Sequence, residues 1–99
     1  MINIVVLIKI KNLEKFEDFE SKAVLIMAEH SGHLVSAFRP DKKESSDSDV
    51  DEIHILSFPS IENFHAYRAS SKIQSLVSLR EQAIDKTIIY LSNEFIEYH

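Results

Sequence analysis

The sequence predicts an α+β fold of the ferredoxin-like type, in which a βαββαβ chain forms an antiparallel sheet with two helices on one face. Two observations predict this fold. Glu52–Phe58 alternates in polarity like a strand, and helical spacing begins directly after Phe58-Pro59-Ser60. Ile2–Ile10 is apolar almost throughout, which is typical of a strand that is covered on both faces. We therefore expect a second copy of the sheet to cover the face without helices, in a homodimer.

The first half of the chain is expected to hold one long helix between two strands. Asn12 is a suitable N-cap for a helix from Leu13 to about His30. Apolar side chains recur in that segment at helical spacing and predict a buried stripe. Gly32, the single glycine of the chain, is expected to take the left-handed conformation that often follows a helix. The second strand is predicted at His33–Arg39.

The second half is expected to contain a loop and then a strand, a helix and a strand. Asp41–Val50 is rich in Ser, Asp and Lys and is predicted to be the least ordered internal loop. The third strand, Glu52–Phe58, is followed by a helical region from Ser60 to about Asp85, with a kink near Ser70. The fourth strand is predicted at Thr87–Leu91. No linker or repeat divides the chain, so residues 1–99 are expected to form one domain.

The composition excludes several classes of function. The chain has no cysteine, which excludes disulfides, thiolate zinc sites and cysteine nucleophiles. The formal net charge is -5 and no basic stripe could follow a phosphate backbone, so nucleic-acid binding is not expected. Ile2–Ile10 is too short to span a bilayer and lacks the charged flank of a signal peptide. We therefore expect a cytoplasmic protein without a membrane partner.

Part of the second half has a recognisable pattern. Phe58–Ser60, Ser70, Gln74 and Leu79–Arg80 match a strand-helix pattern of bacterial domains of unassigned function, which this chain resembles. Those domains belong to the dimeric α+β-barrel superfamily. Ser71–Ile73 replaces a Pro-Glu-Tyr of that pattern, so no role of its tyrosine is carried over. The resemblance implies a dimeric α+β barrel, and relatives in the superfamily include cofactor-independent monooxygenases, haem-degrading oxygenases and isomerases.

Arg80 places a charge inside an apolar helical stripe, since it lies one turn from Leu76 and one turn from Ile84. An arginine does not lose its proton in a protein, so a partly buried one needs an anion, several carbonyls or water beside it. One interpretation is a structural pair with a carboxylate of the sheet or of the partner subunit. The other is a binding site for the anion of a small organic acid.

Three further side chains are candidates for the same cleft between sheet and helices. His65 is the predicted acid/base catalyst, because an imidazole titrates near neutral pH and this one lies four residues after Ile61. His54 on the third strand and Tyr67 on the second helix are predicted to bind ligand beside Arg80. Neither the histidines nor the acidic loop has the spacing of a known metal site, and no cofactor is expected.

Two classes of function remain open. The first is a small dimeric protein that binds a small acidic or aromatic metabolite in the cleft, with cofactor-independent oxygenase or isomerase-type chemistry. Arg80 would then hold the anion and His65 would move a proton. The second is a non-catalytic dimeric module that binds a metabolite or another protein. An enclosed cavity lined by both residues would favour the first class, and a filled core would favour the second.

Overall fold

The computed structural model describes residues 1–41 and 49–98. They form a four-stranded sheet and four helices in the order strand, helix, two strands, three helices and strand. Most of the loop that the sequence predicts to be least ordered, Asp41–Val50, lies outside the described residues. The elements in chain order are β1 Ile2–Ile10, α1 Leu13–Glu29, β2 His33–Phe38, β3 Glu52–Phe58, α2 Ile61–Ala69, α3 Ser71–Gln74, α4 Val77–Ala83 and β4 Ile84–Ser92.

The sheet has the strand order β2-β3-β1-β4, and all neighbours in it are antiparallel. Val6 at the centre of β1 lies opposite His54 of β3 on one side and opposite Ile89 of β4 on the other. The helices pack on the face that carries these three residues. The predicted α+β, ferredoxin-like fold is therefore confirmed, and the pairing of two sheets in a dimer stays a prediction.

The end of α1 corrects the role that the sequence predicts for Gly32. The residue in the left-handed conformation is Ser31, with φ 63, and Gly32 itself has a negative φ. A Cβ atom on Gly32 would instead collide with the ring of Phe58 and with the side chain of Met27. Both of these side chains are buried in the core. The glycine is therefore needed for the close approach of the chain to Phe58 and not for a turn.

The predicted long second helix is divided into α2, α3 and α4. Ser70 ends α2 with an extended backbone, φ -63 and ψ 147, and its hydroxyl caps α3 by accepting from the Ile73 amide. β4 begins at Ile84, three residues earlier than predicted, because this buried β-branched side chain pairs with Ile10 of β1. As a result α3 and α4 are separate short helices, and both line the cavity between the helices and the sheet.

The core lies between the helices and one face of the sheet. On β1 it takes the even-numbered residues Ile2, Ile4 and Ile8, while Val5 and Leu7 lie on the other face and are half-buried. That second face carries further apolar side chains. Ile53, Ile55, Ile88 and Tyr90 lie opposite Val5 or Leu7 in register, and Phe38 lies opposite Ile53. The structure thus shows which residues of β1 face the helices and which lie on the open face, a distinction that the sequence alone does not give.

No helix among the described residues is long and apolar enough to cross a bilayer.

Candidate functional site

A cavity of about 320 Å³ lies between the sheet and the helices. This volume is at the lower end of the range of roughly 300–1,000 Å³ that is typical of ligand pockets, so it suits a small ligand. The apolar part of its wall comes from all layers of the fold: Val6, Ile8, Phe19, Met27, Leu56, Phe64, Ile73, Val77, Ile84 and Ile89. The polar or charged side chains that line it are Glu20, His54, Tyr67, Arg68, Gln74, Arg80 and Thr87.

Arg80 lines the cavity from α4 and is half-buried. Its Nη2 donates a hydrogen bond of 3.1 Å to the hydroxyl of Thr87 on β4. Among residues 1–41 and 49–98 no carboxylate lies within ion-pair distance of the guanidinium. In the described part of the chain, the structure does not show the predicted structural pair with a carboxylate of the sheet, and a pair with a carboxylate of the partner subunit stays a prediction. Among the described residues, the guanidinium makes one side-chain hydrogen bond, to Thr87, while Arg80 lines the cavity.

His54 is buried in the cavity wall and is bonded to a carboxylate of its own strand. Its Nε2 lies 2.5 Å from Oε2 of Glu52, and the other oxygen of Glu52 accepts a bond of 2.6 Å from Nε of Arg39. The two side chains meet because residues i and i+2 of a strand point to the same face. An ionised carboxylate can only accept, so Nε2 is the donor of this hydrogen bond, and Nδ1 is the nitrogen that has the lone pair when the ring is neutral.

Glu20 brings a second carboxyl group to the same place from α1. Its Oε2 lies 3.8 Å from Nδ1 of His54. Burial raises the pKa of the Glu20 carboxyl above its usual value and the charge of Glu52 raises it further, whereas His54 and Arg80 act in the opposite direction. Glu20 is not among the site residues predicted from the sequence, although its position four residues after Phe16 and three before Ala23 places it inside the apolar stripe of α1.

Tyr67 lines the cavity from α2, as the prediction that it contacts ligand requires. Its ring packs on Phe58 with the ring centroids 5.7 Å apart. Burial raises the pKa of the Tyr67 phenol to about 12, and the carboxyl of Glu20 contributes to the rise. The hydroxyl is therefore protonated throughout the physiological range and can donate a hydrogen bond to a ligand.

The structure does not bring the candidate His65 to the cavity that Arg80 lines. The side chain of His65 is exposed, whereas its neighbour Phe64 is buried and lines the cavity. Consecutive helical residues differ by about 100° in direction, so Phe64 and Tyr67 can face the sheet only if His65 faces away. His54, which the sequence analysis proposed only as a ligand contact, is the histidine that lies in the site.

No group of three histidine, aspartate or glutamate side chains is arranged to hold a metal ion, as far as residues 1–41 and 49–98 are concerned. The polar side chains of the cavity can instead offer two guanidinium groups, one phenol, one imidazole and one buried carboxyl to an organic ligand. This set can bind an anion and can move a proton.

Solved structures with the same fold come from several bacteria. A protein of unknown function from Rhodopseudomonas palustris has a TM-score of 0.84 and 13% identity, with 97% of this chain and 83% of that chain covered. A dabb family protein with a ferredoxin-like fold from Mesorhizobium loti has a TM-score of 0.69 and 15% identity, covering 95% and 96%. SnoaB, a cofactor-independent oxygenase from Streptomyces nogalater, has a TM-score of 0.70 and 12% identity, covering 97% and 94%. At these identities the likeness shows the fold alone.

A comparison with curated proteins finds no match. A comparison with family models finds one, a domain of unknown function (DUF1330), which matches residues 3–93.

Proposed function

This chain belongs to the DUF1330 family of domains of unknown function, and we propose that it binds a small organic acid in the cavity between its sheet and its helices. One observation carries the proposal. Arg80 lines the cavity and, among the described residues, has no carboxylate within ion-pair distance. A guanidinium that is withdrawn from water and keeps its charge favours an anion as its partner.

The remainder of the wall supports an acid with an apolar or aromatic body. Phe19 and Phe64 contribute aromatic surface, and Tyr67 adds a ring with a hydroxyl that remains protonated. The hydroxyl of Thr87 holds the Arg80 guanidinium from one side, so that its remaining donors are oriented before a ligand arrives. A planar guanidinium that is oriented in this way suits two-point recognition of a carboxylate.

Proton transfer is the chemistry that these side chains favour, of the isomerase type or of the cofactor-independent oxygenase type. The neighbour SnoaB is described as a cofactor-independent oxygenase, so the fold is compatible with such chemistry. The non-catalytic alternative uses the same cavity, but it has no need of an imidazole and a buried carboxyl in the wall. His54 and Glu20 are both there, and their presence favours the enzyme.

The homodimer is part of the proposal. The open face of the sheet carries Val5 and Leu7 beside Ile53 and Ile55, and Tyr90 on that face is 62% exposed. A contiguous apolar surface of this kind is unfavourable in water, and a second copy of the same sheet covers it with matching chemistry. We also retain the proposal that the protein acts in the cytoplasm.

A thermal-shift titration with benzoate, phenylacetate and phenylpyruvate tests the binding proposal. A ligand at ten times its Kd stabilises by about 1.4 kcal/mol, which raises the Tm of a domain of this size by roughly 6–11 °C. Arg80→Leu should abolish the rise. Lys22→Leu is the matched control, because it removes one positive charge from an exposed position on α1 that does not line the cavity. A rise that persists in Arg80→Leu, or no rise with any acid, contradicts the proposal.

A further inference from the structure

Two titratable side chains of the cavity wall, Glu20 and His54, and a third behind His54, Glu52, have no part in holding an anion. The His54 imidazole contacts both carboxyl groups, with Nδ1 3.8 Å from Glu20 and Nε2 2.5 Å from Glu52. All three are largely withdrawn from water, with side-chain exposures of 22%, 10% and 6% respectively. Burying two carboxyl groups and an imidazole is unfavourable for folding, so their arrangement requires a reason.

The hydrogen bonds fix which nitrogen of His54 can act as a base. Nε2 donates to Glu52, and Arg39, the residue after β2, neutralises that carboxylate from its other oxygen. In the neutral ring Nδ1 therefore has the lone pair, and it is the nitrogen on the Glu20 side of the ring. An oriented imidazole with a carboxylate behind it is the arrangement that general bases commonly use.

We propose that His54 is the proton-transfer residue of this cavity, that Glu52 is its positioning residue, and that the substrate is a 2-oxo acid which interconverts between its keto and enol forms. The inference rests on the proposed function, because Arg80 holds the carboxylate of the same substrate. A 2-oxo acid fits the site, since it combines an anion for Arg80 with a carbonyl and an acidic C–H bond beside it.

The reaction needs no oxidant, reductant or second substrate. Nδ1 of His54 takes a proton from the carbon next to the carbonyl, and the electron pair of that C–H bond forms the new carbon–carbon double bond. The carbonyl π pair moves onto oxygen, which takes the proton of the Glu20 carboxyl. The proton on Nδ1 then returns to the Glu20 carboxylate, whose oxygen is 3.8 Å from that nitrogen, and the enzyme is restored.

The environment of Glu20 suits the role of the acid. Burial raises its pKa, so the carboxyl retains its proton to a higher pH than an exposed glutamate. The charged groups that face it are His54 and Glu52 from β3 and Arg80 from α4. Of these groups only Glu52 raises the pKa of Glu20 further, and the Glu52 carboxylate is itself paired with Arg39.

Deuterium exchange of phenylpyruvate in D2O tests the proposal. The benzylic protons disappear from the proton NMR spectrum as the keto and enol forms interconvert, and the wild-type protein should accelerate the loss. His54→Gln should lower the enzymatic rate by about 10²–10⁴-fold, the usual contribution of a general base. Glu52→Gln should lower kcat by about tenfold or more with little change in KM, because the substrate does not touch Glu52.

Two further variants keep the test informative if a buried substitution disturbs folding. Glu20→Gln has the same shape as the native side chain and should also lower kcat. His65→Gln removes an exposed histidine of α2 that does not line the cavity, and it should exchange at the wild-type rate. Nitrogen-15 NMR of the His54 ring should show hydrogen on Nε2 in the wild type and a mixture of the two tautomers in Glu52→Gln.

The outcomes separate this inference from the function on which it rests. Accelerated exchange that requires His54 supports it. Phenylpyruvate binding that requires Arg80 without accelerated exchange overturns the inference and leaves the proposed function standing. Exchange that continues undiminished in His54→Gln overturns the role of that residue. If the protein neither binds phenylpyruvate nor accelerates its exchange, both this inference and the proposed binding function are overturned for 2-oxo acids.

Discussion

Arg80→Leu is expected to leave the stability of the ligand-free protein nearly unchanged. The variant loses one hydrogen bond of a charged donor, from Nη2 to Thr87, and such bonds contribute about 1.5–3 kcal/mol. It also removes a half-buried charge that has no carboxylate partner among the described residues, and it adds apolar surface beside Leu76 and Ile84 at about 0.8 kcal/mol per buried methylene. These terms oppose one another, so the free energy of unfolding should change by less than about 1.5 kcal/mol.

Urea denaturation of wild type and variant, at equal protein concentration, measures this difference. Thr87→Val is the matched control, because it removes the hydroxyl and leaves the guanidinium charge in place. It should cost more than Arg80→Leu, and the double variant should cost less than the sum of both, since the two side chains interact. A loss of about 3–5 kcal/mol in Arg80→Leu would refute the reasoning, because that is the cost of breaking a buried ion pair.

Three further predictions concern assembly, titration and packing. Leu7→Asp puts an unpaired charge on the open sheet face. Light scattering should therefore report about twice the 11.4 kDa chain mass for the wild type and the monomer mass for the variant. A wild-type protein that is already monomeric would contradict the dimer. Burial raises the pKa of Glu20, so the folded protein binds this proton more tightly than the unfolded chain. The stability of wild type should therefore fall relative to Glu20→Gln as pH rises above the ordinary value of 4.5, and parallel pH profiles of the two unfolding free energies would contradict this. Gly32→Ala should destabilise by about 1–3 kcal/mol in urea denaturation because its Cβ overlaps Phe58 and Met27, and a neutral effect would contradict the close approach.

The strands could be predicted well because their signals are local and repeated. β1 has the bounds Ile2–Ile10 that its β-branched apolar run indicates, and β3 has the bounds Glu52–Phe58 that its alternation indicates. The second helical region was predicted less well, since the apolar stripe continues through Ser70. A serine there can extend the backbone and cap the next helix, and this choice depends on packing that the local sequence does not specify.

The site could be predicted only in part, because the local sequence does not specify which side chains the packing brings together. Arg80 was found because a charge in an apolar stripe is a local signal. His65 was misplaced because the direction of each helical side chain depends on which residue of α2 is buried, and the structure buries Phe64. Glu20 was overlooked because several acidic residues surround it on α1, and only its spacing from Phe16 and Ala23 distinguishes it. The contact between α1 and β3 that joins Glu20 to His54 is not visible in either segment alone.

Isothermal titration calorimetry with phenylacetate tests the binding of an organic acid by Arg80 most directly. The wild-type protein should bind one phenylacetate per chain, and Arg80→Leu should bind it roughly 10–150-fold more weakly, as the loss of about 1.5–3 kcal/mol from a charged hydrogen bond requires. The neutral amide phenylacetamide should bind both proteins equally weakly. Equal affinity of wild type and Arg80→Leu for phenylacetate, or equal affinity of the wild type for the acid and the amide, would contradict the account.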